Sequence, residues 1–583
     1  MLSQYNSFTK AQSKKDSWTL ASIRHSILRN NYLSQDFKIL KEISHYFSSN
    51  SVAPYIDASF NFINGVILAS QSLPTSALIS IFQNLITTTG CAILGSTNTI
   101  VSYAHGQEEI HPTEATVKIQ KSFKSGVVLA CLLSVPAVIG ALSSREILKL
   151  MKQPEDLLDD VHQYFVAYAF GIPAIFIVHL QKQVALGLSD IKAVNFLTLF
   201  DNTTISSLGY ILLYGKFGFP KMGIAGLGYA ASITNWLDLI LFSAYLKYNP
   251  YFKAYELNFS GHFKESLNLI KELLNIGLPI GMQISFELLI GLSYSTLVGK
   301  IGADALSAYQ IPSQYIMLSS IPALGLSQTA SILVGREMGA LRIQNAIKYG
   351  TICILLGGII SLILLGLMLS ITKKLTAPFI NIDDEKNKEI ITNAGYLFII
   401  NGLAQIPDSM RIIAAGAIRS AYRDTRTPTV LGLINFGLVG FLLSCLLGFQ
   451  TDLGVIGISI GRAIGLTFTC IGLLHYWWLK EKTNILIDAI GKNESLEISE
   501  VSEDLSSKID LSQEFSLASQ KLQLTTTAAL TYDDAKEDGD SSVSEGNSVR
   551  RREPLVFNHF SLIKNDELKV VKTNPRQSRC IIL

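Results

Sequence analysis

Residues 126–142, 352–371 and 430–449 carry no charged side chain, and apolar residues dominate each run. A helix of roughly 20 such residues crosses ~30 Å of hydrocarbon. Buried in a soluble core, blocks like these would demand far more apolar partner surface than separate domains supply. Charged residues make up only 16% of the 583-residue chain and hydrophobic ones 48%, where a soluble protein carries about a quarter charged. A polytopic membrane protein is the reading that fits. A soluble enzyme, a wholly disordered chain and a secreted disulfide scaffold are excluded. The net charge of +2 leaves no basic footprint for nucleic acid. Cys91, Cys131, Cys353, Cys445 and Cys470 lie singly in apolar runs and read as small buried hydrophobes.

Apolar periodicity gives twelve spans, at 44–69, 74–103, 123–144, 162–187, 194–214, 222–247, 270–299, 305–334, 346–372, 391–417, 428–449 and 454–479. Before them lies a polar leader, 1–43, in which Trp18, Leu20, Ile23, Ile27 and Leu28 recur at helical spacing. It reads as a solvated leader or as a helix lying on the membrane. Lysine and arginine are biased toward the loops on the leader's side, which places both termini in the cytoplasm. Which membrane is occupied is left open.

The chain repeats itself at a spacing of about 230 residues. Residues 92–106 parallel 325–339, Ala185–Gly187 parallels Ala414–Gly416, and Gly223–Gly226 parallels Gly454–Gly457. These matches divide the chain into a first six-helix lobe at 44–247, a linker at 248–269 and a second six-helix lobe at 270–479. An even number of spans per half gives both the same topology, so the pseudo-twofold runs along the membrane normal. Parallel repeats of this kind are a transporter architecture. The fold expected is all-α: twelve transmembrane helices in two pseudo-twofold-related lobes, with a disordered cytoplasmic tail at 480–583.

Ionisable groups inside a span cost several kcal/mol unless paired or hydrated, so each one is informative. Glu287 lies mid-span, two turns after Pro279, with no cation in helical reach. Asp408 follows Pro407, with Arg411 one turn on as a partner for a static pair. A proline in a helix frees backbone carbonyls. A carboxylate in a half-dry cavity beside them can take up a proton or bind Na⁺ with carbonyl oxygens. Candidate cavity residues are Asn64, Gln283, Tyr309, Gln310, Gln314, Gln405 and Arg411. Gln310 and Gln314 sit one turn apart, and Asp57 and Asn64 two turns apart. Asp201 and Asp238 are weaker candidates, and Lys182, with His179 and Gln181, reads as a snorkelling lysine at a span end. The Gly457, Gly461 and Gly465 row reads as a close helix contact. No metal-ligand cluster, Walker A sequence or catalytic triad is legible, so no enzyme activity, cofactor or ATP coupling is expected.

Four stretches together resemble the multidrug and toxic-compound extrusion (MATE) transporters over about residues 40–480. They are the Gly-x-Pro run ending in Glu287, the 325–339 motif, the run from Gln405 through Asp408 to Pro428, and the 92–106 motif. The resemblance implies a monomeric secondary antiporter working by alternating access. It would export organic cations or amphiphilic small molecules across the bilayer in exchange for H⁺ or Na⁺. Glu287 and Asp408 match the family's cation-coupling carboxylates. Where many bacterial members carry an acid in the first helix, ungapped matching places Asn64, which shifts coupling toward the second lobe. Gln314 falls near a position where some eukaryotic members carry an acid. Alternatives of the same architecture are a lipid-linked-precursor flippase, or a membrane anchor whose tail recruits partners.

The tail has its own pattern. Residues 494–545 hold thirteen acids and three lysines, and residues 550–583 eight bases and three acids. The chain ends Cys580-Ile-Ile-Leu583, a C-a-a-X pattern whose final Leu favours geranylgeranylation. A prenyltransferase is therefore an expected partner, in a eukaryotic cytosol.

Overall fold

The computed structural model describes residues 37–60, 73–150, 155–257, 263–377 and 387–508. The chain falls into two units, Met1–Ile490 and Gly491–Leu583, and the second is described only over 491–508. Regular structure in the described residues is helical, without strands. Helix α1 covers residues 37–60. It is followed by α2 (Leu73–Leu94), α3 (Ser96–Gln107), α4 (Pro112–Leu142), α5 (Ser144–Leu150), α6 (Glu155–Ala169), α7 (Ile172–Gly187), α8 (Ile191–Tyr214), α9 (Ile224–Tyr248) and α10 (Pro250–Lys253). The second half comprises α11 (Phe263–Ile301), α12 (Ala303–Ser319), α13 (Ile321–Gly339), α14 (Ile343–Ser370), α15 (Thr372–Thr376), α16 (Lys388–Tyr422), α17 (Arg426–Leu431), a π-helical segment (Gly432–Gly440), α18 (Phe441–Phe449) and α19 (Gly454–Lys508).

Among the described residues nine helices, some joined end to end, are long and apolar enough to cross a bilayer, and a bent pair makes a tenth crossing. With α1 and α8 these give the twelve-helix, two-lobe architecture. The bent pair is the fourth expected span. It folds by 56° between Leu157–Ala169 and Ile172–Gly187, where Gly171 and Pro173 interrupt the hydrogen-bond ladder. Helix α8 is interrupted by the polar run Asp201, Asn202, Thr203 and Thr204. It is capped at the start by the Asp190 side chain and at the end by left-handed Gly215. The linker is not featureless: it holds α10, and α11 begins at Phe263. The tail expected from residue 480 is described only as far as Lys508. Helix α19 continues that far, through a proline-free run rich in Leu, Ile, Glu and Lys that favours helix.

Leu355, Ile359, Leu362, Ile363 and Leu367 of α14 are all more than half exposed. In a spanning helix that is the face presented to hydrocarbon. Small residues instead bring helices together. A Cβ on Gly461 would strike the Ser444 backbone, and one on Gly465 would come within 2.8 Å of the Gly440 Cα. The glycine row is a packing device, as its spacing predicts.

The duplication is visible in the contacts between lobes. Gly106 of α3 packs on the backbone of Arg336, and Gly339 of α13 packs on the backbone of Tyr103. These pairs exchange under the 233-residue offset of the repeat, so the contact is reciprocal in the manner of a twofold interface. Ser102 and Gly335 are themselves one offset apart and touch each other. So do Glu109 and Arg342, as an ion pair. The pseudo-axis passes between the two members of each pair. The halves also exchange arms. Ile39 and Ile43 of α1 sit in the core of the second lobe, while Ile270, Leu273, Ile276 and Ile280 of α11 sit in that of the first.

Polar contacts between the lobes gather toward this same end. Arg336 reaches Glu42 at 2.7 Å, Tyr349 also donates to Glu42, and Asn50 donates to Thr329 at 2.9 Å. The Arg423 guanidinium lies 4.4 Å from the centre of the Tyr103 ring. Along α11, the Thr89–Ser285 hydroxyl pair at 2.7 Å joins the lobes. Past Ser285, no other helix among the described residues comes within 4 Å of where a side chain would begin on Gly291 or Gly299.

Candidate functional site

Glu287 lies just past that inter-lobe contact, on α11. Asp408 and Arg411 lie on α16, one turn apart, and Pro407 is inside the helix. The guanidinium of Arg411 fills the space between the acids. Its Nη1 donates to Glu287 Oε1 at 2.7 Å. Its Nε donates to Asp408 Oδ1 at 2.9 Å, and its Nη2 lies 2.8 Å from the same oxygen. The Arg411 side chain is 5% exposed, that of Asp408 16% and that of Glu287 33%. A buried guanidinium of this kind is tolerated because carboxylates satisfy its donors. The Asp408–Arg411 pair is the one the i, i+3 spacing predicts. The Glu287–Arg411 pair joins residues 124 apart in sequence, so helical reach could not reveal it.

Each acid is engaged through one oxygen. Gln283 Nε2 adds a 3.0 Å bond to Glu287 Oε1, and no hydrogen bond among the described residues reaches Glu287 Oε2 or Asp408 Oδ2. Those oxygens are the ones open to a proton or cation. At Pro279, whose ring interrupts α11, the backbone oxygen accepts from Thr429 Oγ1 at 3.0 Å. That bond fixes α11 to α17 two turns from Glu287.

The other candidates divide. Gln283 joins the cluster. Gln405 is buried and donates to Ser409 Oγ at 3.4 Å, while Ser361 of α14 donates to the same oxygen at 2.7 Å. Gln405 is therefore held against Ser409, which ties α16 to α14. Tyr309 is buried in the second-lobe core, whereas Gln310 and Gln314 are exposed, so the tyrosine and the glutamines point apart. Asn64 and Cys580 lie outside the described residues.

The first lobe holds a polar cluster that the sequence weighted lightly. Asn202 of α8 donates to Asp57 of α1 at 2.8 Å. The Lys182 Nζ lies 3.9 Å from Asp201 Oδ2, so the lysine expected to snorkel has an ion-pair partner inside the lobe. Asp238 is fully buried, neither of its carboxylate oxygens meets a hydrogen-bond donor among the described residues, and its charged neighbours are Asp201 and Lys182. The signal available in sequence was the polarity of α8. Its polar face is satisfied by α1 and α7, so it need not be apolar.

Residues 56–211 and 279–446 match the MatE family, together more than half of the chain. The probable multidrug resistance protein NorM of Pseudomonas aeruginosa is 26% identical over 413 residues, covering 70% of this chain and 83% of that protein. The multidrug resistance protein NorM of Burkholderia vietnamiensis is 27% identical over 424 residues, covering 72% and 89%. Among solved structures, MATE in the bent conformation superposes with a TM-score of 0.66 at 15% identity, over 78% of this chain and 97% of that one. The outward-facing conformation of a multidrug resistance MATE family transporter of the MOP superfamily gives 0.65 at 14%, over 76% and 96%. The matched segments hold both Glu287 and the Asp408–Arg411 pair, one segment falls in each lobe, and the chain belongs to the MatE family.

Proposed function

We propose that this chain is a secondary antiporter that exports organic cations or amphiphilic small molecules in exchange for H⁺ or Na⁺, by alternating access of its two lobes. The observation that carries the reading is the Glu287–Arg411–Asp408 cluster. It is ionisable, lies mid-span, and is placed where inter-lobe contact gives way to open space. The names of the curated relatives, multidrug resistance proteins, agree with it. Glu287 and Asp408 are the coupling carboxylates, and both termini face the cytoplasm. That orientation puts the Glu109–Arg342 end on the cytoplasmic side.

The test is efflux of ethidium, a fluorescent cation, from proteoliposomes holding the full chain. An imposed H⁺ gradient or an imposed Na⁺ gradient should drive efflux, and the one that does so names the coupling ion. Absence of ethidium movement under either gradient, with ethidium binding also absent, would sink the reading.

The C-terminal Cys580-Ile-Ile-Leu583 is proposed as a geranylgeranylation site. Twelve spans need no further anchor, so a lipid here would pin the tail to the bilayer. Metabolic labelling with a geranylgeranyl analogue in a eukaryotic host should mark the wild type and lose the label in Cys580→Ser. An unlabelled wild type would refute modification there.

A further inference from the structure

We infer that Arg411 is a tethered counter-cation, occupying the place that a transported cation must take, and so sets which substrates the second lobe accepts. This rests on the antiport reading and adds a substrate-selecting role for a residue that also ties α11 to α16. The geometry is specific. One guanidinium spends three donors on two carboxylates from different helices, with almost none of its own surface exposed. Arginine's planar fork matches carboxylates in this way, and its charge persists at every accessible pH.

The charge count follows. Glu287 and Asp408 bring two negative charges and Arg411 returns one positive charge, so the trio keeps one net negative charge. Two further cations lie on or against α16: Arg419, two turns along it, whose Nε bonds the Ala415 carbonyl of its own helix at 3.0 Å, and Arg462 of α19, which donates to Asn401 Oδ1 at 3.5 Å. The charged residues of the adjacent α12, α13 and α14 (Asp304, Arg336, Glu337 and Lys348) lie within two turns of helix ends. Arg411 is therefore the cation that an incoming one competes with directly. A Na⁺ or an organic cation held between the two acids has to move the guanidinium aside. An uncharged amphiphile, gaining nothing from the carboxylates, does not.

Arginine has a further consequence. A guanidinium displaced from the acids cannot lose its charge, so it must find other acceptors or water in the open space near Glu287. Lysine in its place would keep the charge but lose the fork. Glutamine would remove the charge at nearly constant length. Damage to the fold from either change would lower affinity for every ligand alike, whereas release of a competitor raises it for cations alone.

The experiment measures equilibrium binding of tetraphenylphosphonium and of uncharged triphenylphosphine oxide to the purified full chain in nanodiscs, at one fixed pH of about 8, where carboxylates are ionised. Arg411→Gln should bind tetraphenylphosphonium about tenfold tighter, the factor expected from roughly 1.4 kcal/mol of relieved competition. Its binding of triphenylphosphine oxide should not change, and Arg411→Lys should stay close to wild type for both. Should Arg411→Gln alone prove unstable, Asp408→Asn is compared with Asp408→Asn/Arg411→Gln, in which one acid leaves with the guanidinium. The double variant should be the tighter cation binder. Equal or weaker tetraphenylphosphonium binding on loss of the guanidinium in either background, or an equal gain for the neutral compound, overturns the inference. The antiport reading fails separately, if Glu287→Gln and Asp408→Asn both pump normally.

Discussion

Glu287→Gln and Asp408→Asn should each bring gradient-driven efflux down to the rate of empty vesicles while leaving the chain folded. The two parts of this result have different physical origins. Coupling needs a group whose charge can be cancelled by the driving ion on one side of the membrane and restored on the other. An amide of the same shape cannot do this. Folding survives because Arg411 bonds both acids, so each single variant leaves the guanidinium one carboxylate. Removing the sole partner of a buried ion costs about 3–5 kcal/mol; here a second partner remains, and the loss should be well below that. Glu287→Gln also keeps an acceptor for the Gln283 amide, which now donates to Glu287 Oε1 at 3.0 Å. Monodisperse elution in detergent, alongside the efflux rate, separates the two effects. If either variant pumps at the wild-type rate, that carboxylate is not a coupling group.

Gly106→Val and Gly339→Val should both arrest transport, and to a similar degree. At each position a Cβ would run into backbone across the lobe interface, that of Arg336 in one case and Tyr103 in the other. Backbone cannot rotate out of the way as a side-chain tip can, so the lobes have to part at this end. The readout is a cysteine pair at positions 109 and 342, introduced into a chain lacking its native cysteines. The Glu109 and Arg342 side chains meet at their tips in the parent, a span that a bis-maleimide bridges, so the cross-link should form there and fail in both glycine variants. Gly395, with no atom within 4 Å of a built Cβ, should accept alanine without loss and serves as the control. A cross-link forming at parental yield in either valine variant would show that the helices accommodate the side chain.

What the sequence disclosed and what it hid follow from one distinction. Glu287 and Asp408 stood out because an ionised group in an apolar run is costly wherever the run packs. Arg411 was legible as a partner of Asp408, three residues away. Its bond to Glu287 depends on how α11 and α16 lie against each other, which no local pattern encodes. Tyr309 beside Gln310 shows the same limit. One residue of offset on a helix is 100° of rotation, enough to send the tyrosine into the core and the glutamine to the surface. The repeat located Gly106 and Gly339 as equivalent positions, but that each lies against the other's helix is a fact of three dimensions. Asp238 was hardest to weigh, since a buried carboxylate and a carboxylate at a span boundary look alike in one dimension.

The ion pair between Glu109 and Arg342 bears on the history of the molecule. A residue on a twofold axis faces its own image. Were the two halves separate, identical chains, that place could hold two glutamates or two arginines, but never one of each. Opposite charges there require halves that have diverged, as two halves of one chain are free to do. The same pair also discourages mispairing. Two first halves would bring glutamate against glutamate, and two second halves arginine against arginine. The pair is half-exposed, so the bias is modest, about 1 kcal/mol or less. It nonetheless favours each half closing on its own partner over the same half of a neighbouring molecule.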